Sequence, residues 1–593
     1  MFRLKGIAVS PGIAIGTALV FESGRFQIAK IRCPEENVPQ ELARFEEALR
    51  VTCDELRQNA ETVTEKLGAE YGAIFDAHLA MLSDPRLQGK IRDSILQDQL
   101  AAESAVNEVF REYIEFFKSL SDEYLAQRAH DLIDLEKRLL HVLIPGKQQQ
   151  FQYIKSQVIL LAHDLTPSET VLIDRELVQA LATEIGGPGS HTTILAEAMR
   201  IPAVVGLGDF LEKVSPGDQI IVDGNHGLII IAPDESMLRY YAYLAAQQQS
   251  IGDQLKMLRN EPAVTQDGTE IQLWGNIEFP NEAEICLDSG ATGIGLYRTE
   301  FLYLSGDFPD EEDHYRAYKQ VAETMAGRPV TIRTVDLGAD KLLAYRRVTW
   351  NQKADYFVET EKNPCLGLRS IRLSLKRMDI FREQLRAILR VGADHPNVKV
   401  MFPLVSTLLE LRQAKMILED VKEDLREQGI PFGEDIDIGI MVEVPSTVLM
   451  LDHFVQEVDF LSIGTNDLIQ YSLAVDRTNR EVAHLFNSCD PAVLKLIDMT
   501  MKEADRKNIP VSLCGRMGGN PDYTMLLLGL GLRVLSITPR NIPEVKNICR
   551  GVNLSHCKAV ARRALMMEKA GEIKNYLKSE LRKVFPDPDD LLD

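Results

Sequence analysis

From residue 270 to the C-terminal region the sequence repeats one pattern. A short, mostly apolar run is followed each time by a longer stretch of helical character. The apolar runs are Ile271–Ile277, Gly293–Tyr297, Val330–Val335, Val398–Phe402, Ile438–Val442, Phe460–Ile463, Val511–Cys514 and Val534–Ile537. Eight strand–helix units over roughly 300 residues fit a (β/α)8 barrel of the TIM type. An open, doubly wound sheet is the alternative, and the placement of polar residues separates the two.

In a (β/α)8 barrel, chemistry sits where the strands end. Arg298 and Glu300 follow the second run, and Arg333 and Asp336 lie in or just after the third, with Asp340 and Lys341 close behind. Glu443 closes the fifth run, Asn466 and Asp467 the sixth, and Cys514 the seventh. One arginine after a strand is usually an ion-pair partner. Such groups at so many strand ends point to a single polar mouth. Glu443 and Asp467, on neighbouring strands, suit Mg²⁺, which takes one or two protein carboxylates and fills its other positions with water and substrate oxygens. Arg298, Arg333, Arg369 and Arg477 can clamp phosphate or carboxylate oxygens in bidentate fashion. Arginines, a metal and a thiol together suit a small, highly anionic phosphorylated acid.

The N-terminal half is built differently. Residues 1–25 read as short strands, Phe2–Val9 and Ala14–Val20 around a Ser10-Pro11-Gly12 turn. From about 36 to 146 apolar residues recur at three and four, as in Leu42, Phe45, Leu49 and Leu56, which predicts four or five helices with starts at Ser83-Asp84-Pro85 and Ser121-Asp122. Strands return from 150, including Val158–Ala162, Val178–Leu181 and Ile201–Gly206. Between the last two lies Gly186-Gly187-Pro188-Gly189-Ser190-His191-Thr192-Thr193, ahead of an apolar run, Ile194–Met199, that reads as a helix. Glycines let the backbone approach a ligand closely, and a helix start offers free N–H groups to an anion. His191 therefore reads as a phosphoryl carrier. A glycine-poor stretch over 234–260 reads as a connecting helix.

A formal net charge of -22 argues against broad nucleic-acid binding. The eight cysteines are scattered with no C-x-x-C pair, as expected of reduced thiols. The first residues, with Lys5 and Pro11, do not resemble a signal peptide, and no apolar run reaches the ~18 residues of a membrane span. A cytoplasmic protein without membrane insertion is the expectation.

These motifs stand in a specific order. Asp164-Leu165-Thr166-Pro167-Ser168-Glu169-Thr170 and the Gly-Gly-x-x-Ser-His loop come first. Gly295-Leu296-Tyr297-Arg298-Thr299-Glu300-Phe301-Leu302-Tyr303, Arg333-Thr334-Val335-Asp336-Leu337-Gly338, Met441-Val442-Glu443-Val444-Pro445 and Phe460 through Arg477 follow. With them, from residue 1 to about 575, the chain resembles the Enzyme I family of the bacterial phosphotransferase system, phosphoenolpyruvate–protein phosphotransferases among the PEP-utilizing enzymes. Pyruvate phosphate dikinase and phosphoenolpyruvate synthase share the histidine and barrel modules, but they need a large ATP-binding domain for which this chain has no room.

The resemblance implies a multidomain α/β protein. Residues 1–25 and 147–232 form a swivelling phosphohistidine domain with a helical insertion at 26–146 that docks the phosphocarrier. A linker helix at 233–262 follows, then a PEP-binding and dimerisation barrel at 263–575 and a tail at 576–593. It further implies that phosphoenolpyruvate and Mg²⁺ bind the barrel and that His191 becomes a tele-phosphohistidine supported by Thr170. Cys514 then gives a proton to the departing enolpyruvate, releasing pyruvate. Substrate contacts fall to Arg298, Arg333, Arg369, Asn466, Asp467 and Arg477, and metal ligation to Glu443 and Asp467. The phosphoryl group passes to a histidine of the phosphocarrier protein HPr or a paralogue, and the chain is a homodimer. One histidine facing two partners implies a large swing of the N-terminal domain, hinged at the ends of the 234–260 helix.

Several positions depart from the family pattern, Pro188, Gly189 and Ala339 among them. Glu197 stands where the family has Arg, Arg516 where it has Glu, and Asn520 where it has Asp. A cation two residues from Cys514 is expected to lower the thiol pKa, which does not suit a proton donor. The opposite signs of Glu197 and Arg516 suggest a swapped pair that faces across the transfer-ready state. The alternative function is that of a catalytically weakened homologue, acting as a regulatory or binding protein.

Overall fold

The computed structural model describes residues 2–21, 31–67, 75, 78–79, 81–119, 123–144, 157–165, 177–187, 192–193, 196, 201–303, 309–338, 363–477, 479 and 481–585. The chain divides into two compact units, Met1–Ser250 and Ile251–Asp593.

The first unit holds an eight-stranded sheet in the order β1-β8-β7-β3-β4-β5-β6-β2. Its strands are β1 (Phe2–Lys5), β2 (Ile7–Ser10), β3 (Ile13–Phe21), β4 (Val158–Ala162), β5 (Val178–Thr183), β6 (Ala203–Val205), β7 (Gln219–Asp223) and β8 (Leu228–Ile231). The single strand expected over Phe2–Val9 is broken at Gly6. β1 pairs with β8 at one edge and β2 with β6 at the other. Strands one residue apart cannot sit at opposite edges of a flat sheet, so the sheet curls until its edges nearly meet. Gly6 sits at that seam, where a Cβ would lie 2.6 Å from the Val205 carbonyl oxygen.

The long excursion between β3 and β4 is helical: Val38–Leu67, Pro85–Leu96, Ala102–Ser119 and Glu123–Leu143. These helices bury their own core, which includes Phe45, Leu56, Phe110 and Leu135. The expected start at Asp84-Pro85 is present: the Asp84 side chain caps the Arg86 N–H, and Pro85 occupies the first turn, where its missing donor costs nothing. The expected start at Ser121-Asp122 lies outside the described residues. The connecting helix runs Glu235–Met257 and starts where the Asp234 carboxylate accepts the Met237 N–H at 2.9 Å.

The second unit is a closed barrel of eight parallel strands: β10 (Glu270–Ile277), β11 (Ile294–Tyr297), β12 (Val330–Arg333), β13 (Val398–Phe402), β14 (Asp437–Val442), β15 (Phe460–Ile463), β16 (Val511–Leu513) and β17 (Val534–Ile537). Closure comes from β10, which pairs with both β17 and β11. A short strand, β9 (Ala263–Val264), adds to β10 in antiparallel fashion. The closed ring rules out the open doubly wound sheet. The sequence places these strands to within two residues at each end. β12 stops at Arg333 and not at Val335, because the Val335 N–H donates to the Gln384 side chain instead of to a neighbouring strand.

One buried cation anchors the entry to this unit. Lys546 is 3% exposed, and its Nζ donates to the carbonyls of Leu258, Arg259 and Gly290 at 3.2, 2.8 and 3.1 Å. Three carbonyl acceptors compensate the cost of burying an ammonium group.

Candidate active site

The barrel mouth is organised by alternating charges. Arg333, at the end of β12, donates to Glu300 at 2.9 Å and to Asp336 at 3.0 Å. Asp336 also accepts from Arg369 at 2.8 Å, and Arg369 reaches Asp467 at 3.5 Å and the Tyr471 hydroxyl at 3.3 Å. Glu300 further accepts the Asp336 N–H at 2.8 Å. Arg333, Arg369, Asp336 and Asp467 therefore form one connected set. Burial opposes the charge of Arg333 and Arg369, but the carboxylates around them outweigh it and hold both above the usual arginine range. Burial likewise opposes ionisation of Asp336, and Arg333 and Arg369 overcome it, keeping its carboxyl below the usual range.

Glu443 follows β14 and is 2% exposed, with Oε1 accepting the Leu404 N–H at 2.6 Å. Burial first, then the neighbouring Asp467 and Asp336, push its carboxyl well above the ordinary value. A buried carboxylate beside two others is under-compensated by its own protein. A divalent cation on Glu443 and Asp467 would relieve that repulsion, so the donor set fits Mg²⁺, with substrate and water oxygens completing the shell. Among the described residues no group of three or more His, Cys, Asp or Glu side chains forms an all-protein metal cage, and a Mg²⁺ site does not require one.

Cys514 follows β16 at 3% exposure, packed with Leu296, Met401, Met441 and Phe460. Its Sγ lies 3.6 Å from the Ile463 carbonyl. Burial pushes the thiol up to about 11, with Glu443 adding to the shift and Ser462, Arg333 and Arg298 opposing it. This overturns the expectation that the cation at Arg516 lowers the thiol pKa: desolvation dominates, and Cys514 stays protonated at neutral pH. Its main chain is fixed by Asn276 on β10, which donates to the Cys514 carbonyl at 3.0 Å and accepts from Ser536 on β17 at 2.6 Å. The next residue must be glycine, because a Cβ at Gly515 would lie 1.7 Å from the Thr465 hydroxyl oxygen.

Three further arginines rim the mouth. Arg298 pairs with Glu278. The Arg516 N–H donates to the Asn466 side chain at 3.2 Å. Burial, then Arg477 and Arg298, hold Arg516 below its usual value. Among the described residues neither Arg477 nor Arg516 has a carboxylate within ion-pair distance. The sequence reasoning missed the groups behind the mouth, above all Gln384 and His314. The available signal was a polar residue inside an apolar helix stripe: Gln384 among Phe381, Leu385 and Ile388, and His314 ahead of Ala317, Tyr318 and Val321.

In the first unit, His191, Thr170 and Glu197 lie outside the described residues. Their surroundings are partly defined. β4 and β5 run parallel and end side by side. His163, just past β4, donates through Nδ1 to Glu184, just past β5, at 2.6 Å. The other Glu184 oxygen accepts the N–H groups of Phe210 and Leu211 at 2.8 and 2.9 Å. Thr192 donates to the Leu165 carbonyl at 3.4 Å and Thr193 to the Gly187 carbonyl at 2.8 Å. Leu165 and Thr192, which precede and follow the segments carrying Thr170 and His191, are thus tied together.

Three family descriptions match the chain: the N-terminal region of PEP-utilising enzymes over residues 5–128, their mobile domain over 154–227, and their PEP-binding domain over 252–554. A phosphoenolpyruvate-protein phosphotransferase of Priestia megaterium is 40% identical over 578 residues, covering 97% of this chain and 99% of that protein. Proteins of the same name from Bacillus sp. (strain S) and Geobacillus stearothermophilus are each 39% identical over 576 residues, covering 97% of this chain and 97% of each relative.

Proposed function

The chain belongs to the PEP-utilising enzyme family, and from that premise we propose that it is a phosphoenolpyruvate–protein phosphotransferase that moves a phosphoryl group from phosphoenolpyruvate to His191 and on to a phosphocarrier protein. The observation that carries the proposal is the barrel mouth itself. A buried lattice of arginines and carboxylates stands beside a thiol that keeps its proton.

The chemistry follows from those groups. Arg298, Arg333, Arg369 and Arg477 bind and orient the phosphoryl and carboxylate oxygens of phosphoenolpyruvate, with Asn466 at the same rim. Mg²⁺, held by Glu443 and Asp467, would supply positive charge where negative charge gathers on the transferring group. The Nε2 lone pair of His191 attacks phosphorus, and the P–O bond to the enol oxygen breaks. The electron pair left on the enolate returns through C3, which takes the Cys514 proton and yields pyruvate. Thr170 supports His191. The phosphoryl group then leaves His191 for a histidine of HPr or a related carrier, docked on the helices between 38 and 143. A single histidine serving two partners requires the N-terminal unit to reorient about the helix Glu235–Met257. The active form is a homodimer joined through the barrel domain.

Among the described residues no helix is long and apolar enough to cross a membrane; together with the function proposed, this supports work in the cytoplasm. The test is incubation with labelled phosphoenolpyruvate and Mg²⁺. Acid-labile label on the wild type but not on His191→Ala is the expected result. An unlabelled wild type overturns the enzyme and favours a regulatory protein, a reading that the departures at Glu197 and Arg516 keep in view.

A further inference from the structure

Between the exits of β11 and β12 and the outer helices Glu311–Met325 and Met378–Asp394 runs a chain of buried polar groups that the chemistry above does not use. Gln384 lies on the helix Met378–Asp394 and is wholly buried. Its Nε2 donates to the Thr299 hydroxyl at 3.0 Å and to the Tyr318 hydroxyl at 2.9 Å, and its Oε1 accepts the Val335 N–H at 3.0 Å. The Thr299 hydroxyl in turn donates to the Arg333 carbonyl at 3.1 Å. Beyond Tyr318, His314 on the helix Glu311–Met325 meets the Tyr318 hydroxyl through Nδ1 at 2.8 Å and the Tyr303 hydroxyl through Nε2 at 3.3 Å.

The groups with fixed roles orient the half of the chain next to Arg333. The Val335 N–H can only donate, so the amide oxygen of Gln384 faces it. The Arg333 carbonyl can only accept, so Thr299 gives it a proton and receives one from Gln384. Tyr318 accepts from Gln384, and the hydroxyls of Tyr318 and Tyr303 meet the two ring nitrogens of a neutral His314, one of which donates while the other accepts. Burial holds His314 down to about 4, in keeping with that neutral form. A fully satisfied buried network rigidifies whatever backbone it grips.

What it grips is the backbone on both sides of the active-site arginines. Thr299 sits between Arg298 and Glu300, the partner of Arg333. The Arg333 carbonyl and the Val335 N–H bracket the peptide unit that leads from Arg333 to Asp336. We infer that Gln384 is a positioning residue for phosphoryl transfer: from an outer helix it locks the ends of β11 and β12 to each other and so fixes where the Arg333 guanidinium and its partners Glu300 and Asp336 stand. The inference rests on the functional reading above, in which Arg333 binds the substrate.

The test uses the full-length chain and PEP-dependent phosphorylation of His191. Gln384→Met keeps the volume and removes all three hydrogen bonds. It is expected to lower kcat/KM about tenfold, chiefly by raising the KM for phosphoenolpyruvate, while transfer from phosphorylated His191 to the carrier is unchanged. In an Arg333→Lys background the same substitution is expected to add less than about twofold, because both changes spoil one interaction. A change that merely loosens the barrel would lower the melting temperature but leave the two substitutions additive. Thr299→Val deletes only the hydroxyl and carries the same expectation should the Met variant not fold. A folded variant with wild-type KM, or additive effects with Arg333→Lys, overturns the inference while a labelled wild type leaves the function standing. A wild type that takes no label overturns the function, and the inference with it.

Discussion

Arg369 and Asp336 meet at 2.8 Å, across the gap between the loop at 363–370 and the exit of β12. The contact is reinforced by backbone: the Ser370 N–H donates to the Leu337 carbonyl at 3.0 Å. Asp336 is the hinge point of the charge lattice, since its other oxygen takes Arg333. Removing it leaves two buried guanidiniums with one compensating carboxylate fewer. Asp336→Ala is expected to cost about 3–5 kcal/mol in urea unfolding followed on the barrel transition. A loss under about 1 kcal/mol would show that water already screens the pair.

Glu443 makes the opposite prediction. Burial and its carboxylate neighbours disfavour its charge in the metal-free protein. Glu443→Gln keeps an acceptor for the Leu404 N–H and removes the repulsion. The metal-free variant is expected to be more stable than wild type by about 1–2 kcal/mol. It should also lose the rise in melting temperature that Mg²⁺ gives the wild type. Calorimetry with and without MgCl₂ reads both, and a Mg²⁺ shift of wild-type size in the variant would remove Glu443 from the metal site.

Cys514 is held as a thiol. With its pKa pushed up to about 11, well under about 1% is ionised at pH 7.5, and the thiolate is the form that alkylates. Iodoacetamide at pH 7.5 should modify the half-buried Cys33, Cys53 and Cys365 before Cys514. Peptide mapping by mass spectrometry distinguishes them. Rapid labelling of Cys514 at that pH would mean that Arg516 governs the thiol after all.

His314 gives the protein a defined acid sensitivity. Its value falls from 6.5 to about 4 because burial penalises the imidazolium. Above pH 6.5 both folded and unfolded chains hold neutral imidazole, and the contribution is complete. As the pH falls from 6.5 toward 4 the unfolded chain binds a proton that the folded chain refuses, so stability declines through that window by about 3 kcal/mol. Carboxylates titrate there too, so the observable is the difference between wild type and His314→Gln in urea unfolding at pH 7 and pH 4. A difference that does not change with pH counts against a neutral buried His314.

Much of the barrel was legible because parallel strands buried on both faces read as unbroken apolar runs. The polar residue that ends each run then reads as part of the mouth. Arg333, Glu443, Asp467 and Cys514 were found in this way. Gln384 and His314 were not, because a helix carries its polar residues on a solvent-facing stripe and only a three-dimensional neighbour shows that a polar residue on the other stripe is satisfied. The state of Cys514 was misjudged for a related reason. Sequence shows that Arg516 is two residues away, but not that the thiol is sealed among Leu296, Met401, Met441 and Phe460, where desolvation outweighs a nearby charge. The seam at Gly6 was equally invisible, since nothing local says that adjacent strands part to opposite edges of one sheet.

The grip of Lys546 on the Leu258, Arg259 and Gly290 carbonyls makes the helix Glu235–Met257 a cantilever, clamped into the barrel at its far end. A clamped beam stores no slack at its root. Any torque on the helix is therefore delivered to the barrel wall, or it is taken up where the beam is most compliant. Gly252, its one glycine, is that place, because glycine weakens a helix interior by about 1 kcal/mol relative to alanine.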